Sequence, residues 1–120
     1  MASLSEVRTS NPAPRKVERR AAVRFPSDKR ATCQPLRGNK DDQWIAQLHD
    51  VSVVGVGVVV PRPFQPGTAL TLEVSTEAAD YKFLMKVVRT EVRSPGHWLL
   101  GCVFARALSE EELQNLTLNG

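Results

Sequence analysis

After residue 30, apolar and polar side chains alternate along most of the chain, a period-two pattern that is typical of strands with one buried face. In residues 68–75, for example, Leu70, Leu72 and Val74 alternate with polar or small side chains. Clusters of Gly, Pro, Asn and Asp separate the alternating segments and indicate turns. The pattern predicts six strands, over residues 31–36, 43–50, 55–60, 68–75, 81–93 and 97–106.

Six evenly spaced strands, each with one apolar face, predict an all-β fold built as a small six-stranded antiparallel β-barrel. Closing the sheet also removes the exposed edges that Val-rich strands would otherwise offer for aggregation. A short helix is predicted over residues 109–117, because Ser109 and Glu112 have the spacing of a capping box. Leu113 and Leu116 give this helix an apolar stripe, which we expect to cover one mouth of the barrel.

The N-terminal segment has a different composition from the rest of the chain. Residues 1–16 are rich in Ser and Pro and poor in apolar side chains, which predicts a disordered tail. Residues 17–25 are predicted to form a flexible arm, and strand structure is expected to begin after Pro26. The predicted domain covers residues 17–118, with the barrel over residues 30–106.

Charge and length narrow the class of protein. The chain has 120 residues, which suits one domain. Residues 1–30 carry eight basic and three acidic side chains, a net charge of +5, whereas residues 31–120 have a net charge of −2. A basic arm on a mildly acidic body indicates an anionic partner. Neither a membrane span nor a secretory signal is apparent, so a cytoplasmic protein, or one module of a larger one, is expected.

The chain has only two cysteines, Cys33 and Cys102, and they lack the spacing of metal ligands. Two reduced thiols on barrel strands are the favoured interpretation, and a disulfide is the alternative.

The first of two short motifs that carry candidate chemistry is Arg20-x-x-x-Arg24, which is directly preceded by Arg19. It places three guanidinium groups on the predicted arm. The planar fork of Arg matches phosphate oxygens or the O6/N7 edge of guanine, and its face also stacks on a base. Arg pairs at this spacing usually face solvent, so the motif alone is weak.

The second motif, Asp50-x-Ser52-x-x-Gly55, begins at the end of a predicted strand. Residues i and i+2 of an extended chain share a face, so Asp50 and Ser52 are expected to point the same way. A carboxylate accepts hydrogen bonds from the N–H edge of guanine, and a glycine lets the backbone approach a ligand closely. By itself this motif is also a common turn.

In their order, separation and strand context, the two motifs together resemble the PilZ family, small β-barrel receptors for the bacterial second messenger cyclic di-GMP. The resemblance covers roughly residues 17–117. It includes Pro66-Gly67-Thr68 before an apolar strand, Leu100-Gly101-Cys102-Val103-Phe104 in the last strand, and Leu108-Ser109-Glu110-Glu111 at the start of the helix.

The resemblance implies roles for individual residues. Arg20 and Arg24 are expected to grip guanine and phosphate. Asp50 and Ser52 are expected to read a guanine edge, and Gly55 to leave room for the base.

Two further residues carry weaker expectations. Gly101 lies inside the last strand, where a glycine marks either close approach of a ligand or a packing requirement of the barrel. Arg19 resembles the extra arginine of family members that bind a self-stacked pair of cyclic di-GMP molecules, which implies two ligands per domain.

The resemblance implies a non-catalytic bacterial receptor whose arm closes over the ligand and signals to a partner protein or neighbouring domain, without a cofactor or metal. His49, Asp50 and Ser52 are the residue types of a catalytic triad, but neighbours on one strand rarely supply its geometry. Two alternatives stay open. One is a PilZ-like scaffold that binds only protein, and the other is a barrel that binds single-stranded nucleic acid through exposed aromatic side chains. Binding of DNA is not expected.

Overall fold

The structure, a computed structural model, describes residues 23–38 and 42–118. The predicted tail over residues 1–16 lies outside the described residues, and so does most of the predicted arm. The described elements follow in chain order as β1 (Phe25–Pro26), β2 (Arg30–Pro35), β3 (Trp44–Val51), β4 (Gly55–Val60), β5 (Ala69–Ser75), β6 (Asp80–Ser94), β7 (His97–Phe104) and α1 (Glu110–Leu116).

Six strands, β2 to β7, form a closed antiparallel barrel. Their order in the sheet is β3-β2-β5-β6-β7-β4, and β4 pairs back with β3 to close it. Each predicted strand is present, with ends that differ from the prediction by no more than two residues. The prediction of a six-stranded antiparallel barrel is therefore confirmed.

The inward side chains of the alternating segments fill the barrel. On β4, Val56, Val58 and Val60 are buried, and on β5 the side chains of Leu70 and Leu72 are fully buried. The predicted helix is also confirmed. Its capping residues are Ser109 and Glu112, whose backbone N–H groups each donate to the side chain of the other, and Leu116 packs into the same core.

Replacing Ser109 with alanine is expected to lower the free energy of unfolding by about 1 kcal/mol, since the N-cap acceptor for the backbone N–H of Glu112 is lost. Urea denaturation followed by circular dichroism measures the change. Ser109→Asn retains a good N-cap and should cost less than about 0.5 kcal/mol. An equal loss in both variants would show that capping is not the cause.

Cys33 and Cys102 are free, buried thiols. Burial raises the pKa of Cys33 to about 11 and that of Cys102 to about 12. Both thiols are therefore protonated and poorly nucleophilic at neutral pH.

One boundary prediction is wrong. Strand structure begins at Phe25 and not after Pro26. Phe25 and Pro26 form β1 and pair with Val51 and Asp50 of β3. A proline is tolerated there because β1 is the edge strand of the sheet that residues 23–38 and 42–118 form, and its outer side has no ladder partner within those ranges. This short strand matters for the site, because it carries the chain from Arg24 past Asp50.

In the described residues, no helix is long and apolar enough to cross a membrane.

Candidate functional site

The candidate site is built around an irregularity at the end of β3. Leu48 pairs with Val58 and Asp50 pairs with Gly57, so His49 is an extra residue in the ladder, a β-bulge. Leu48 is buried in the core, whereas His49 and Asp50 are both half-buried. A bulge re-aims side chains in this way, and bulges are frequent beside binding and active sites. The imidazole and the carboxylate consequently meet on the outer surface of the barrel.

The carboxylate of Asp50 accepts hydrogen bonds from the side chains of Arg24 and His49. Arg24 Nε donates to Asp50 Oδ1 over 2.7 Å, and His49 Nδ1 lies 2.6 Å from Asp50 Oδ2. Burial by itself raises the pKa of Asp50, but the hydrogen bonds from His49 and Arg24 outweigh it, so this pKa lies below its usual range. An ionised carboxylate only accepts, and His49 Nδ1 is therefore the donor.

Arg24 keeps hydrogen-bonding capacity for a further partner. Its side chain is 44% exposed, and only Nε is engaged by Asp50. Within residues 23–38 and 42–118, its two terminal amino groups have no hydrogen-bond partner. Because Asp50 fixes one edge of the planar fork, the rest of the fork is presented to solvent in a defined orientation. The arrangement suits an anionic or guanine-like ligand that arrives from outside the barrel.

Ser52 occupies a different environment from Asp50. It is fully buried, and its Oγ accepts from the backbone N–H of Gly55 over 3.1 Å and from that of Val54 over 3.3 Å. The hydroxyl therefore stabilises the turn between β3 and β4, a familiar use of Ser in turns. Contact of Ser52 with a guanine edge stays a prediction.

Gly55 is required by the packing of two strands. A Cβ atom at this position would lie 2.5 Å from the backbone carbonyl oxygen of Cys102 on β7. No side chain fits such a contact. Strand packing therefore explains why a glycine is needed at position 55, without any role for a ligand. Its proposed contact with the base stays a prediction.

Gly101 faces a second glycine across the sheet. It pairs with Gly57 of β4, Gly57 pairs in turn with Asp50, and on the other side Gly101 pairs with Arg89 of β6. These four residues form a row across β3, β4, β7 and β6, which we call the glycine row. A Cβ at Gly101 would lie 3.0 Å from Arg89 Cγ, and one at Gly57 would lie 2.9 Å from Asp50 Oδ2.

The sequence prediction did not include His49, Gly57 or Arg89 among the site residues. The sequence did contain a signal for Gly57. It follows Gly55 by two residues, and residues two apart on a strand lie on the same face. No sequence signal places Arg89 in the same row as Asp50, because that alignment depends on the registers of three strand pairs. Arg19 and Arg20 lie outside the described residues, so their roles stay predictions.

Two surface depressions are separate from this site. One, of about 650 Å³, is bordered by the loop that contains Arg62 and Phe64, and the other, of about 320 Å³, by Leu84 and Val103. Neither includes Arg24 or Asp50. Among the described residues, no group of three or more His, Cys, Asp or Glu side chains is placed to hold a metal ion.

A closed six-stranded barrel with an arginine–carboxylate cluster on its outer surface defines a small all-β domain with an open polar site. The chain belongs to the PilZ domain family, whose sequence model matches residues 18–118. A similar solved structure is the PilZ domain with c-di-GMP of YcgR from Escherichia coli. The TM-score is 0.57 and the identity 17%, with 82% of this chain and 86% of that chain covered. No curated protein sequence gave a significant match.

Proposed function

We propose that this protein is a non-catalytic receptor domain for cyclic di-GMP. The observation that carries the proposal is the 2.7 Å hydrogen bond between Arg24 Nε and Asp50 Oδ1. It joins the last residue of the arginine motif to the first residue of the Asp-x-Ser-x-x-Gly motif, across 26 positions of sequence. Membership of the PilZ domain family supports the same function.

In the proposed complex, the exposed amino groups of Arg24 bind a phosphate or the O6/N7 edge of a guanine. Asp50 accepts from the N–H edge of a guanine, because each carboxylate oxygen has a second lone pair beyond the one that it shares with Arg24 or His49. Arg20 supplies a further guanidinium group. Three or four charge-assisted hydrogen bonds, at about 1.5–3 kcal/mol each before ordering costs, are enough for micromolar or tighter binding.

Signalling would follow from ordering of the segment that carries Arg19 and Arg20. Ligand contacts made only when this segment lies over the barrel favour that closed state by their differential affinity. A protein partner or a neighbouring domain then meets a different surface in the bound and free states. The proposal also implies a bacterial cytoplasmic protein that needs no metal or cofactor.

Isothermal titration calorimetry of the full chain with cyclic di-GMP tests this function, and cyclic di-AMP is the matched control. Both ligands carry two phosphates, but adenine lacks the O6 acceptor and the N–H donors that Arg24 and Asp50 would read. We expect binding of cyclic di-GMP and at least about tenfold weaker binding of cyclic di-AMP. Equal affinity for both would indicate recognition of phosphate alone, and no binding of cyclic di-GMP at high micromolar concentration would refute the proposal.

Stoichiometry tests the role of Arg19. If Arg19 stacks on a second ligand molecule, wild-type protein takes up two cyclic di-GMP molecules per chain and Arg19→Leu takes up one. Calorimetry with an independently determined protein concentration measures both values. A single ligand per wild-type chain, or two ligands per chain in both proteins, would contradict the role proposed for Arg19.

The distribution of aromatic side chains argues against the nucleic-acid alternative. That function needs aromatic rings on an exposed barrel face for bases to stack on. All seven aromatic residues of the chain lie among the described residues, and only Phe25 of them is exposed. Phe64 and Phe83 are buried in the core, and both tryptophans are partly buried against it. A protein-binding scaffold without ligand is tested by the same calorimetry, since it predicts no binding of either dinucleotide.

A further inference from the structure

The bulge that carries His49 is held in place by two backbone hydrogen bonds. The N–H of Leu48 donates to the carbonyl oxygen of Lys29 over 2.9 Å. The N–H of Ser27 donates to the carbonyl oxygen of His49 itself over 3.1 Å. The extra residue of a bulge is left unpaired in the ladder, but here its carbonyl group is satisfied by the chain that follows β1. The barrel therefore fixes the point from which the imidazole of His49 extends.

The bulge brings together two side chains that a regular strand would separate. Neighbouring residues of a strand point to opposite faces of the sheet. With His49 as the extra residue, its imidazole meets the Asp50 carboxylate, and Nδ1 lies 2.6 Å from Oδ2. The side chain of His49 is 39% exposed and that of Asp50 is 23% exposed. Because partly exposed pairs contribute little to stability, the contact is better explained by its effect on Asp50.

The two donors of the cluster hold different oxygens of the same carboxylate. Rotation about the Cβ–Cγ bond of an aspartate is broad, so one hydrogen bond leaves the plane of the carboxylate loosely defined. Arg24 Nε donates to Oδ1, and His49 Nδ1 donates to Oδ2. With one donor on each oxygen, tilting the carboxylate lengthens one bond or the other. The plane of the Asp50 carboxylate is thus set before a ligand arrives.

The two donors differ in what else the site asks of them. Arg24 precedes β1, and in the proposed complex its amino groups also bind the ligand. His49 lies inside β3 and uses Nδ1 for Asp50 alone. It keeps the carboxylate aimed while Arg24 adjusts to a phosphate or a guanine. The remaining lone pairs of Asp50 then meet incoming N–H groups along defined directions.

We infer that His49 is a positioning residue for guanine recognition, whose Nδ1–H holds the Asp50 carboxylate where it accepts from both the ring N–H and the exocyclic amino group of a guanine. This inference rests on the proposed function, because it names what makes that site selective for guanine. A carboxylate accepts two parallel N–H donors, one at each oxygen, only when its plane matches theirs. A carboxylate that rotated freely would carry the same charge but would lose this selectivity.

Cyclic di-GMP and its inosine analogue, cyclic di-IMP, are probes that report on the aim of Asp50. Hypoxanthine keeps the O6 acceptor and the ring N–H of guanine, but it lacks the exocyclic amino group. Both ligands carry two phosphates, so phosphate contacts cancel in the comparison. In calorimetry of the full chain, wild type should bind cyclic di-GMP at least about fivefold more tightly, because the analogue loses a hydrogen bond to a charged group.

Substitutions of the two histidines test the role of the Nδ1 donor. His49→Leu removes it, and we expect about tenfold weaker binding of cyclic di-GMP and a preference over cyclic di-IMP of less than about twofold. His49→Asn places an amide N–H near the position of Nδ1 and should recover most of both losses. His97→Leu is the matched control. It removes the other histidine, which is exposed at the turn between β6 and β7, and should leave both affinities within about twofold of wild type.

Nitrogen-edited NMR of the imidazole rings tests the contact directly in the ligand-free protein, with the ring of His97 as an internal reference. Nδ1 of His49 should carry a hydrogen, because the ionised carboxylate of Asp50 only accepts. A His49 ring with no hydrogen on Nδ1 would overturn the inference.

The outcomes separate this inference from the proposed function. Failure of wild-type protein to bind cyclic di-GMP overturns both. If wild type binds but does not distinguish cyclic di-IMP, or if His49→Leu keeps the wild-type preference, the function stands and the inference fails. Equal losses in His49→Leu and His49→Asn also exclude the Nδ1 donor as the cause. The ratio of the two affinities does not depend on the fraction of folded protein, so a loss of stability does not imitate the expected result.

Discussion

Arg24→Ala is expected to weaken cyclic di-GMP binding at least about 100-fold, a loss of roughly 3 kcal/mol that corresponds to one or two charge-assisted hydrogen bonds. Two effects combine. The exposed amino groups of Arg24 are lost as donors. Asp50 also loses the 2.7 Å hydrogen bond from Arg24 Nε that orients its carboxylate. The free energy of unfolding should change by less than about 1 kcal/mol, because the Arg24–Asp50 pair is partly exposed.

Two measurements test this prediction together. Calorimetry should show the loss of affinity for cyclic di-GMP, and urea denaturation should show that the free energy of unfolding is nearly unchanged. Arg37→Ala is the matched control, because it removes an exposed arginine from the turn after β2, near the end of the barrel opposite Asp50. It should bind cyclic di-GMP as wild type does. If Arg24→Ala and Arg37→Ala bind equally well, the arginine–carboxylate cluster is not the ligand site. If Arg24→Ala is also strongly destabilised, the pair has a structural role that its exposure does not indicate.

Gly55→Ala is expected to destabilise the fold by about 2–3 kcal/mol, whether or not ligand is present. The added methyl group would lie 2.5 Å from the carbonyl oxygen of Cys102, a backbone atom that moves only if β4 and β7 separate. Alanine restricts the unfolded chain more than glycine does, which favours folding by about 0.4–1 kcal/mol, but this gain is smaller than the cost of the clash. Urea denaturation measures the difference.

Gly57→Ala is the matched variant two residues further along the same strand. Its methyl group would meet the carboxylate of Asp50, 2.9 Å away, which is a side chain that can rotate. We therefore expect a stability close to wild type and clearly weaker binding of cyclic di-GMP, because the Asp50 carboxylate is displaced from its position beside Arg24. Equal destabilisation of the two variants would show that the close approach of Cys102 to Gly55 is not decisive.

The strands and the helix were predictable because their signals are local. Alternation such as that of Leu70, Leu72 and Val74 reports which face of a strand is buried, and turn residues mark where each strand ends. The Ser109–Glu112 capping box likewise needs only a spacing of three residues. The ends of the strands were less certain, and β1 was missed, because Phe25–Pro26 is a strand only through its pairing with β3.

The candidate site was predictable only as two motifs. Residue types and spacing singled out Arg24 and Asp50, and the family resemblance linked them. Their contact depends on β1 running alongside the end of β3 and on the bulge at His49, and neither is visible in the residue pattern. Asp50 and Ser52 were predicted to share a face, but β3 ends at Val51, so Ser52 lies in the turn that follows. Its hydroxyl accepts from the backbone N–H of Gly55 within that turn.

By itself, the sequence determined the all-β class, the number of barrel strands, the capped helix and the two motifs, because each of these depends on neighbours within a few residues. Tertiary structure alone decided which side chains meet on the outer surface. The glycine row is the clearest example, since Asp50, Gly57, Gly101 and Arg89 are aligned by the registers of three separate strand pairings. Register follows from barrel closure and from bulges, and shifting it by one residue would turn every side chain of a strand to the other face.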